Sequence, residues 1–141
     1  MEAMREDGVV TEAEYKAVPA RMLVELFASP LGVRMLRSER VEREWAFTYK
    51  RHAQDGQIQL VQGIIDCCYI TSDGHAVLID YKTDHFPREI REDREQVEAI
   101  LTERYRDQLR LYRAAAEQLL CRPVDDVRIY SFAIGDDFSV M

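Results

Sequence analysis

Two aspartates and one lysine stand inside or at the end of apolar segments near the middle of the chain. Asp66 lies within GIIDCCYI, and Asp80 and Lys82 close the segment VLIDYK. Side chains alternate along a strand, so Asp80 and Lys82 share one face while Tyr81 points to the other. An aspartate at a strand end can hold a divalent cation through oxygen, and a neighbouring ammonium can orient a water or offset charge on a phosphate oxygen. These residue types therefore predict metal-assisted chemistry on a phosphate.

The position of Asp66 relative to Asp80 depends on a predicted hairpin. A turn at residues 72–74 separates the two apolar segments, and counting outward from it places Asp66 opposite residues 80–82. A carboxylate in an apolar segment is costly to bury unless it is paired or bound to a metal, and two close carboxylates repel each other unless a cation lies between them. The alternative interpretation is purely structural, a salt bridge from Lys82 to Asp66 or Asp80.

A helix is predicted to complete this group. Apolar residues recur at threes and fours over residues 91–121, and Gln108 interrupts the stripe between Tyr105 and Tyr112. Gln108 and Tyr112 are four residues apart and therefore share a helix face. A glutamine on a core-facing stripe needs hydrogen-bond partners. The amide either bonds to a neighbouring strand or joins the Tyr112 phenol at the edge of an active site.

The remaining segments predict the elements that carry these residues. Helices are expected from the capping pattern of Thr11 and Glu14, after Pro19, and between the SPLG break and Leu36. Strands are expected at REWAFTYK, IQLVQGIIDCCYI, AVLIDYK and VRIYSFAI, with Gly63 marking a bulge or a close backbone approach. This order, without an internal repeat, predicts one α/β domain with a mixed sheet flanked by helices.

Length and composition limit the classes of function. The chain has 141 residues, an apolar fraction of 47% and a formal net charge of -7. These values suit one globular domain and argue against a DNA binder that works through a broad basic face. The start, MEAMREDGVV, has no apolar signal region, and no segment is long and apolar enough to span a membrane. No membrane partner and a cytoplasmic location are therefore expected.

The three cysteines, Cys67, Cys68 and Cys121, form no C-x-x-C pair. Neither a zinc ribbon nor an iron–sulfur cluster is therefore expected. Buried free thiols in a reducing compartment are the expected state. As neighbours on a strand, Cys67 and Cys68 should point to opposite faces of the sheet.

These motifs, in this order, resemble the RecB-like nuclease domain, a branch of the PD-(D/E)xK nuclease superfamily. The matching pieces are GIID at 63–66, IDYKTD at 79–84 and QLRLY at 108–112. REWAFTY at 43–49 is similar to the family's strand with a leading glutamate, here Glu44. FASPLGVRM and IYSFAI are also similar, and the likeness covers the chain from about Gly8. It implies a restriction-endonuclease-like fold.

The resemblance implies a Mg²⁺- or Mn²⁺-dependent exonuclease that hydrolyses DNA phosphodiester bonds. The implied catalytic residues are Asp66, Asp80, Lys82, Gln108 and Tyr112. The two aspartates and the backbone carbonyl of Tyr81 would bind the metal. The lysine would position the attacking water or stabilise the pentavalent phosphate, and the glutamine and the second tyrosine would order the site or touch the strand. Glu44 would support the site or be structural.

The resemblance also places the domain in a larger protein. Residues 1–141 are expected to form one nuclease domain of a helicase–nuclease in double-strand break repair and recombination, with a single-stranded DNA end delivered by a helicase domain and a possible partner nuclease subunit. No G-x-x-x-x-G-K-[ST] helicase loop occurs in the sequence. The family places a metal-binding histidine on a helix before the first strand, whereas His52, His75 and His85 stand elsewhere. The domain is therefore expected to be N-terminally truncated.

Two alternatives stay open at this point. One is a free-standing RecB-like exonuclease, in which the remaining metal ligand comes from this sequence. The other is a nuclease-fold module that binds DNA or a partner without cutting. A carboxylate-dependent metal site would distinguish the enzyme from the binding module.

Overall fold

The computed structural model describes residues 18–140, so the helix expected from Thr11 and Glu14 lies outside the described residues. Within residues 18–140 the chain forms four helices and five strands. In chain order these are α1 (Ala20–Ala28), α2 (Pro30–Leu36), β1 (Arg40–His52), β2 (Ile58–Ile70), β3 (Ala76–Lys82), α3 (Arg88–Arg91), α4 (Arg94–Leu120), β4 (Asp126–Ser131) and β5 (Asp136–Ser139).

The five strands form one sheet in the order β1-β2-β3-β4-β5. Strands β1 and β2, β2 and β3, and β4 and β5 pair antiparallel, whereas β3 and β4 pair in parallel. A parallel pair needs a crossover connection, which α3 and α4 provide here. The predicted α/β fold, a mixed sheet flanked by helices, is confirmed.

The β1–β2 and β4–β5 connections, like the β2–β3 connection, turn at a glycine with a positive φ. Gly56 has a φ of 82° in the β1–β2 turn, as the Asp55-Gly56 pair predicts. Gly135 has a φ of 78° and reverses the chain after β4 into β5, a strand that the sequence analysis did not predict. Aspartate is uncommon in strands, so strand propensity does not predict β5, which contains Asp136 and Asp137. Pairing with β4 overrides that local preference.

Two hydrophobic layers cover opposite faces of the sheet. One packs the sheet against α4 and includes Ile65 and Leu101. The other packs it against α1 and α2 and includes Met35 and Tyr81. None of these four side chains is more than 1% exposed. A side chain on β3 that points to the first layer therefore faces α4.

Two adjacent cysteines of β2 test whether neighbouring side chains of a strand point to opposite faces of the sheet. Cys67 and Cys68 fall in different layers, as predicted for strand neighbours. Burial raises the pKa of each of these two thiols to about 12, so both stay protonated. The expectation of burial is wrong for Cys121, which is an exposed free thiol. Cys121 ends α4 in a left-handed conformation with a φ of 54°, outside the packed stripe of the helix.

Helix α4 is shorter at its start than predicted. The carboxylate of Asp93 accepts hydrogen bonds from the N–H groups of Glu95 and Gln96, at 3.1 and 3.3 Å, and so caps the helix. The buried residues of α4 are Val97, Leu101, Leu109, Ala115 and Ala116. Although α4 is the longest of the described helices, neither it nor any other of them is long and apolar enough to cross a membrane.

Candidate active site

The β2–β3 hairpin brings Asp66 beside the end of β3. The last paired residues of this ladder are Cys67 and Ile79, so the next positions outward are Asp66 and Asp80. The hairpin register predicted from the turn is therefore confirmed. Backbone pairing between the two strands stops at this point and leaves a fork in the sheet.

Asp66 occupies this fork with its side chain. Its Oδ2 accepts a hydrogen bond from the backbone N–H of Tyr81 at 2.9 Å, and the residue is 8% exposed. On the other side of β2, Glu44 lies across from Asp66 where the β1–β2 ladder is interrupted. The carboxylate therefore takes the place of a backbone acceptor for β3. Asp66 belongs both to the sheet and to the candidate site.

Asp80 and Lys82 share the face of β3 that looks toward α4, as strand alternation predicts. Lys82 Nζ lies 2.8 Å from Asp80 Oδ2, and the two side chains are 17% and 5% exposed. Burial lowers the pKa of Lys82, but the neighbouring Asp80 carboxylate, together with Tyr105 and Asp66, outweighs this effect and the pKa is raised above its ordinary value. The lysine is therefore a cation at neutral pH.

The ion pair between Lys82 and Asp80 is also the contact that the purely structural interpretation expects. Taken alone, it agrees with either role. Two further polar groups reach the same place, the carboxylate of Asp66 from β2 and the amide of Gln108 from α4. Convergence of such groups in a nearly buried position is typical of functional sites and favours the chemical interpretation.

The side chain and the backbone of Tyr81 face different surroundings. The side chain is 1% exposed, and its hydroxyl lies 3.7 Å from Met35 Sδ on the other face of the sheet. The backbone N–H faces Asp66, while the neighbouring carbonyl of Lys82 accepts from Phe132 N–H at 3.0 Å on the β4 side. Successive carbonyls of a strand point to opposite sides. The Tyr81 carbonyl, predicted as a metal ligand, is therefore directed to the side of Asp66.

Gln108 joins the lysine to α4. Its Oε1 lies 3.4 Å from Lys82 Nζ, and its Nε2 donates to the hydroxyl of Tyr112 at 3.2 Å. The prediction that Gln108 and Tyr112 share a helix face is confirmed. The prediction of a core-facing glutamine is wrong, because Gln108 is exposed at the edge of the packed stripe and Leu109 is the buried neighbour.

We expect Gln108→Leu to leave stability nearly unchanged and to lower the DNA cleavage that the family resemblance implies. An exposed helix position tolerates such a change within about 0.5 kcal/mol of unfolding free energy. Loss of the amide removes one restraint on Lys82, and we expect a rate decrease of roughly 10-fold, less than for the loss of the lysine itself. Urea unfolding and single-stranded DNA cleavage by the full-length protein measure the two effects. The matched control is Gln118→Leu at an exposed position of the same helix; equal activity of both variants would contradict a role for Gln108.

Gly63 is explained by the close approach of an aromatic ring. Gly63 pairs with Phe47 across the β1–β2 ladder without a change of register, so the alternative of a bulge is wrong. A Cβ at Gly63 would lie 2.7 Å from Phe47 Cζ. The Phe47 ring meets the Tyr112 ring edge to face with 5.4 Å between their centres. The glycine of GIID therefore supports the tyrosine that bonds to Gln108.

Gly63→Ala is expected to lower the free energy of unfolding by about 1–3 kcal/mol, the usual cost of overpacking. Urea unfolding of the chain measures this loss. Combining the change with Phe47→Leu removes the clashing ring, so the double variant should lose less than the sum of the two single variants. Additive losses would show that the ring of Phe47 is not what excludes a side chain at Gly63.

Sequence reasoning did not assign the roles of Asp84 and Tyr105. The ring centre of Tyr105 lies 4.1 Å from Lys82 Nζ, and the Asp84 carboxylate accepts a hydrogen bond from the Tyr105 hydroxyl. The apolar stripe accounts for Tyr105 only as a core residue. The sequence did contain one indication that Tyr105 belongs to the site. Tyr105 stands three residues before Gln108, so the two side chains lie on the same side of the helix.

Glu44 has an unusual backbone for a strand residue. Its φ is 45°, in the left-handed region that non-glycine residues seldom adopt. Strain of this kind is often found beside functional sites. Glu44 is exposed and lies where the ladder opposite Asp66 is interrupted. Its supporting or structural role stays a prediction.

The donors at the fork suit a hard divalent cation but form a sparse set. Asp66 and Asp80 are 8% and 4% exposed and offer carboxylate oxygens. In the part of the chain that the structure describes, no three or more His, Cys, Asp or Glu side chains group to bind a metal. His52 ends β1, His75 lies between β2 and β3, and His85 follows β3. Mg²⁺ commonly uses one or two carboxylates and keeps several waters, so the two aspartates fit such an ion.

Comparison with known proteins gives the class of this chain. The model of the PD-(D/E)XK nuclease superfamily matches residues 2–137, and the chain belongs to that superfamily. The resemblance inferred from GIID, IDYKTD and QLRLY is thereby confirmed, and so is the restriction-endonuclease-like fold that it implies.

Several curated relatives share one name, which describes each of them as a subunit of an ATP-dependent helicase/nuclease. The chain is 38% identical to the protein of Lysinibacillus sphaericus over 128 residues, which is 88% of this chain and 10% of that protein. It is 36% identical to the protein of Bacillus velezensis over 138 residues, 92% of this chain and 11% of that one. It is 35% identical to the protein of Moorella thermoacetica over an alignment of 152 residues, which covers 99% of this chain and 10% of that protein. The chain spans about one tenth of the length of these relatives.

Proposed function

We propose that this chain is the divalent-metal-dependent deoxyribonuclease domain of a helicase–nuclease in double-strand break repair and recombination. The observation that carries the proposal is the fork at the end of β3, where Asp66, Asp80 and Lys82 meet in a nearly buried position beside α4. Membership in a nuclease superfamily supports phosphodiester hydrolysis, and the helicase/nuclease relatives support the context. The proposal includes exonuclease action on single-stranded ends in the cytoplasm.

In the proposed mechanism the chain binds the phosphate and fixes its charge environment. Asp66, Asp80 and the Tyr81 carbonyl would hold Mg²⁺ or Mn²⁺, which supplies Lewis-acid polarisation of a phosphate oxygen. Lys82 places a positive charge beside the phosphate and orients the attacking water. Asp80 restrains the ammonium from the strand side at 2.8 Å, and Gln108 restrains it from the helix side at 3.4 Å.

Three properties support the proposal that this domain works inside a larger protein, with a possible partner subunit. The relatives are about ten times longer than the part that this chain matches. The net charge of -7 repels DNA, so a strand has to be delivered to the site. Ile58, Leu60 and Ile64 project from one face of β2 and are 53%, 68% and 51% exposed. Apolar groups exposed together suit contact with another protein surface.

The test combines calorimetric Mn²⁺ binding with cleavage of single-stranded DNA in Mg²⁺, for the wild type and for Asp66→Asn. A nuclease domain binds Mn²⁺ at a site lost in Asp66→Asn, and the full-length protein cuts DNA only when that site is intact. The exposed Asp107→Asn on α4 is the matched carboxylate control.

The same experiment separates the alternatives. A binding module would bind DNA without a carboxylate-dependent Mn²⁺ site. The 141-residue chain alone is expected to cut poorly, because with two carboxylates and one carbonyl as ligands water must fill the other positions around a divalent ion, and the affinity for that ion should be weak. Robust degradation by the chain alone, lost in Asp66→Asn, would identify a free-standing exonuclease.

A further inference from the structure

The segment that follows β3 is tied to α4 by one carboxylate. Asp84 accepts the hydrogen bond of the Tyr105 hydroxyl, which lies 2.8 Å from Oδ1 and 2.7 Å from Oδ2 and so shares its one proton between them. Arg104 Nη1 also lies 2.9 Å from Asp84 Oδ2. The Asp84 side chain is 16% exposed, whereas that of Arg104 is 52% exposed. The bond to the phenol is thus the more protected of the two contacts, and exposed ion pairs contribute little.

The anchored tyrosine lies against the lysine of the candidate site. Lys82 Nζ is 4.1 Å from the centre of the Tyr105 ring, which is the distance of a cation–π contact. Burial and the hydrogen bond to Asp84 raise the pKa of Tyr105, so the phenol keeps the proton that it donates. The hydroxyl at one end of the ring is therefore fixed by Asp84, and the ring face restrains the ammonium.

We propose that Asp84 is a positioning residue that acts on Lys82 through Tyr105. A lysine side chain has a flexible four-carbon stem, and its ammonium is a compact point charge that can point in many directions. The Tyr105 ring and the Asp80 carboxylate confine that charge between α4 and β3. Without the hydrogen bond to Asp84 the Tyr105 ring can turn, and the Lys82 side chain regains rotamers that the ring had excluded. This inference rests on the proposed nuclease function, because it assigns Lys82 to the reacting phosphate.

A purely structural role for Asp84 and a positioning role predict different effects of its removal on Lys82. If Asp84 only fastens the segment after β3 to α4, its loss lowers stability and leaves the lysine where it is. If Asp84 acts through the phenol, removal of the carboxylate and removal of the hydroxyl have the same consequence for Lys82. Residues that act as one unit show non-additive effects, which a double-variant cycle measures.

The kinetic test compares Asp84→Ala, Tyr105→Phe and the double variant in the full-length protein. Tyr105→Phe keeps the ring and loses only the hydroxyl, so it remains informative if Asp84→Ala fails to fold. We expect each single variant to lower kcat by roughly 5- to 20-fold with KM for DNA nearly unchanged, within the scale set by small misplacements of a catalytic group. The double variant should be no slower than the slower single variant. Arg104→Gln, which removes only the exposed ion pair, serves as the comparison, and its kcat should stay at the wild-type value.

A second measurement needs neither metal nor activity. The chain has three lysines, Lys16, Lys50 and Lys82, so trace acetylation with acetic anhydride followed by mass spectrometry can report on Lys82 with the exposed Lys50 as internal reference. Asp84→Ala and Tyr105→Phe should each raise the ratio of Lys82 to Lys50 labelling several-fold, because the ring no longer covers the amine. Arg104→Gln should leave the ratio unchanged.

The outcomes are distinguishable. Additive losses of kcat, or an unchanged labelling ratio in both Asp84→Ala and Tyr105→Phe, would overturn the positioning role. Absence of metal-dependent cleavage in the wild type would overturn the proposed function instead, and the labelling ratio would still decide whether Asp84 controls Lys82.

Discussion

Asp80→Asn in the full-length protein is expected to abolish metal-dependent DNA cleavage. The substitution removes one of the two anionic oxygen donors at the fork with little change in side-chain volume. It also removes the carboxylate that lies 2.8 Å from Lys82 Nζ and holds the ammonium in place. Loss of both effects should reduce cleavage to the background of the assay, measured as release of nucleotides from labelled single-stranded DNA in Mg²⁺.

The stability of the same variant is a separate expectation. Repulsion between Asp66 and Asp80 by itself would make the neutral side chain stabilising. Asp80 is paired with a nearly buried lysine, however, so its loss leaves a charge without its partner. We expect the free energy of unfolding to fall by about 1–3 kcal/mol, with the fold retained. Asp55→Asn in the exposed β1–β2 turn is the matched control, and full cleavage by Asp80→Asn would remove this residue from the active site.

Lys82→Ala is expected to lower the cleavage rate by roughly 10²-fold or more, the scale for loss of one electrostatic stabiliser of a transition state. Mn²⁺ binding should survive, because an ammonium is not a metal ligand. Calorimetry on the chain and single-turnover cleavage by the full-length protein measure the two properties separately. Lys50→Ala, an exposed lysine of β1, controls for the loss of one positive charge near DNA. A fall in metal binding with a normal rate per bound metal would show that Lys82 is structural.

The hairpin register shows what the sequence could predict about the site. The turn at residues 72–74 and the alternation of side chains are local properties, and together they place Asp66 next to Asp80. Helix geometry is also local, and it predicts that Gln108 and Tyr112 lie on the same face of α4. The family motifs then supply the fold, since the likeness extends over nearly the whole chain.

Other features depended on tertiary packing that no local pattern encodes. The exposure of Gln108 is an example, because the sequence stripe does not show which edge of α4 turns away from the sheet over 27 residues. Strand β5 forms from a segment with two aspartates because β4 offers it a partner. The contact of Tyr105 with Lys82 joins residues that are 23 positions apart and on different elements. Such contacts become visible only when the crossover helix is in place.

The hydrogen bond from the Tyr81 amide to Asp66 has a consequence for amide hydrogen exchange. Most protected amides in a sheet exchange only when strands separate, because their acceptors are backbone carbonyls. The acceptor of the Tyr81 amide is a single carboxylate, at 2.9 Å. Its exchange therefore reports the rotation of one side chain rather than the opening of the sheet. A rise in Tyr81 exchange with unchanged exchange at Ile79 would reveal movement of Asp66 without any probe attached to the site.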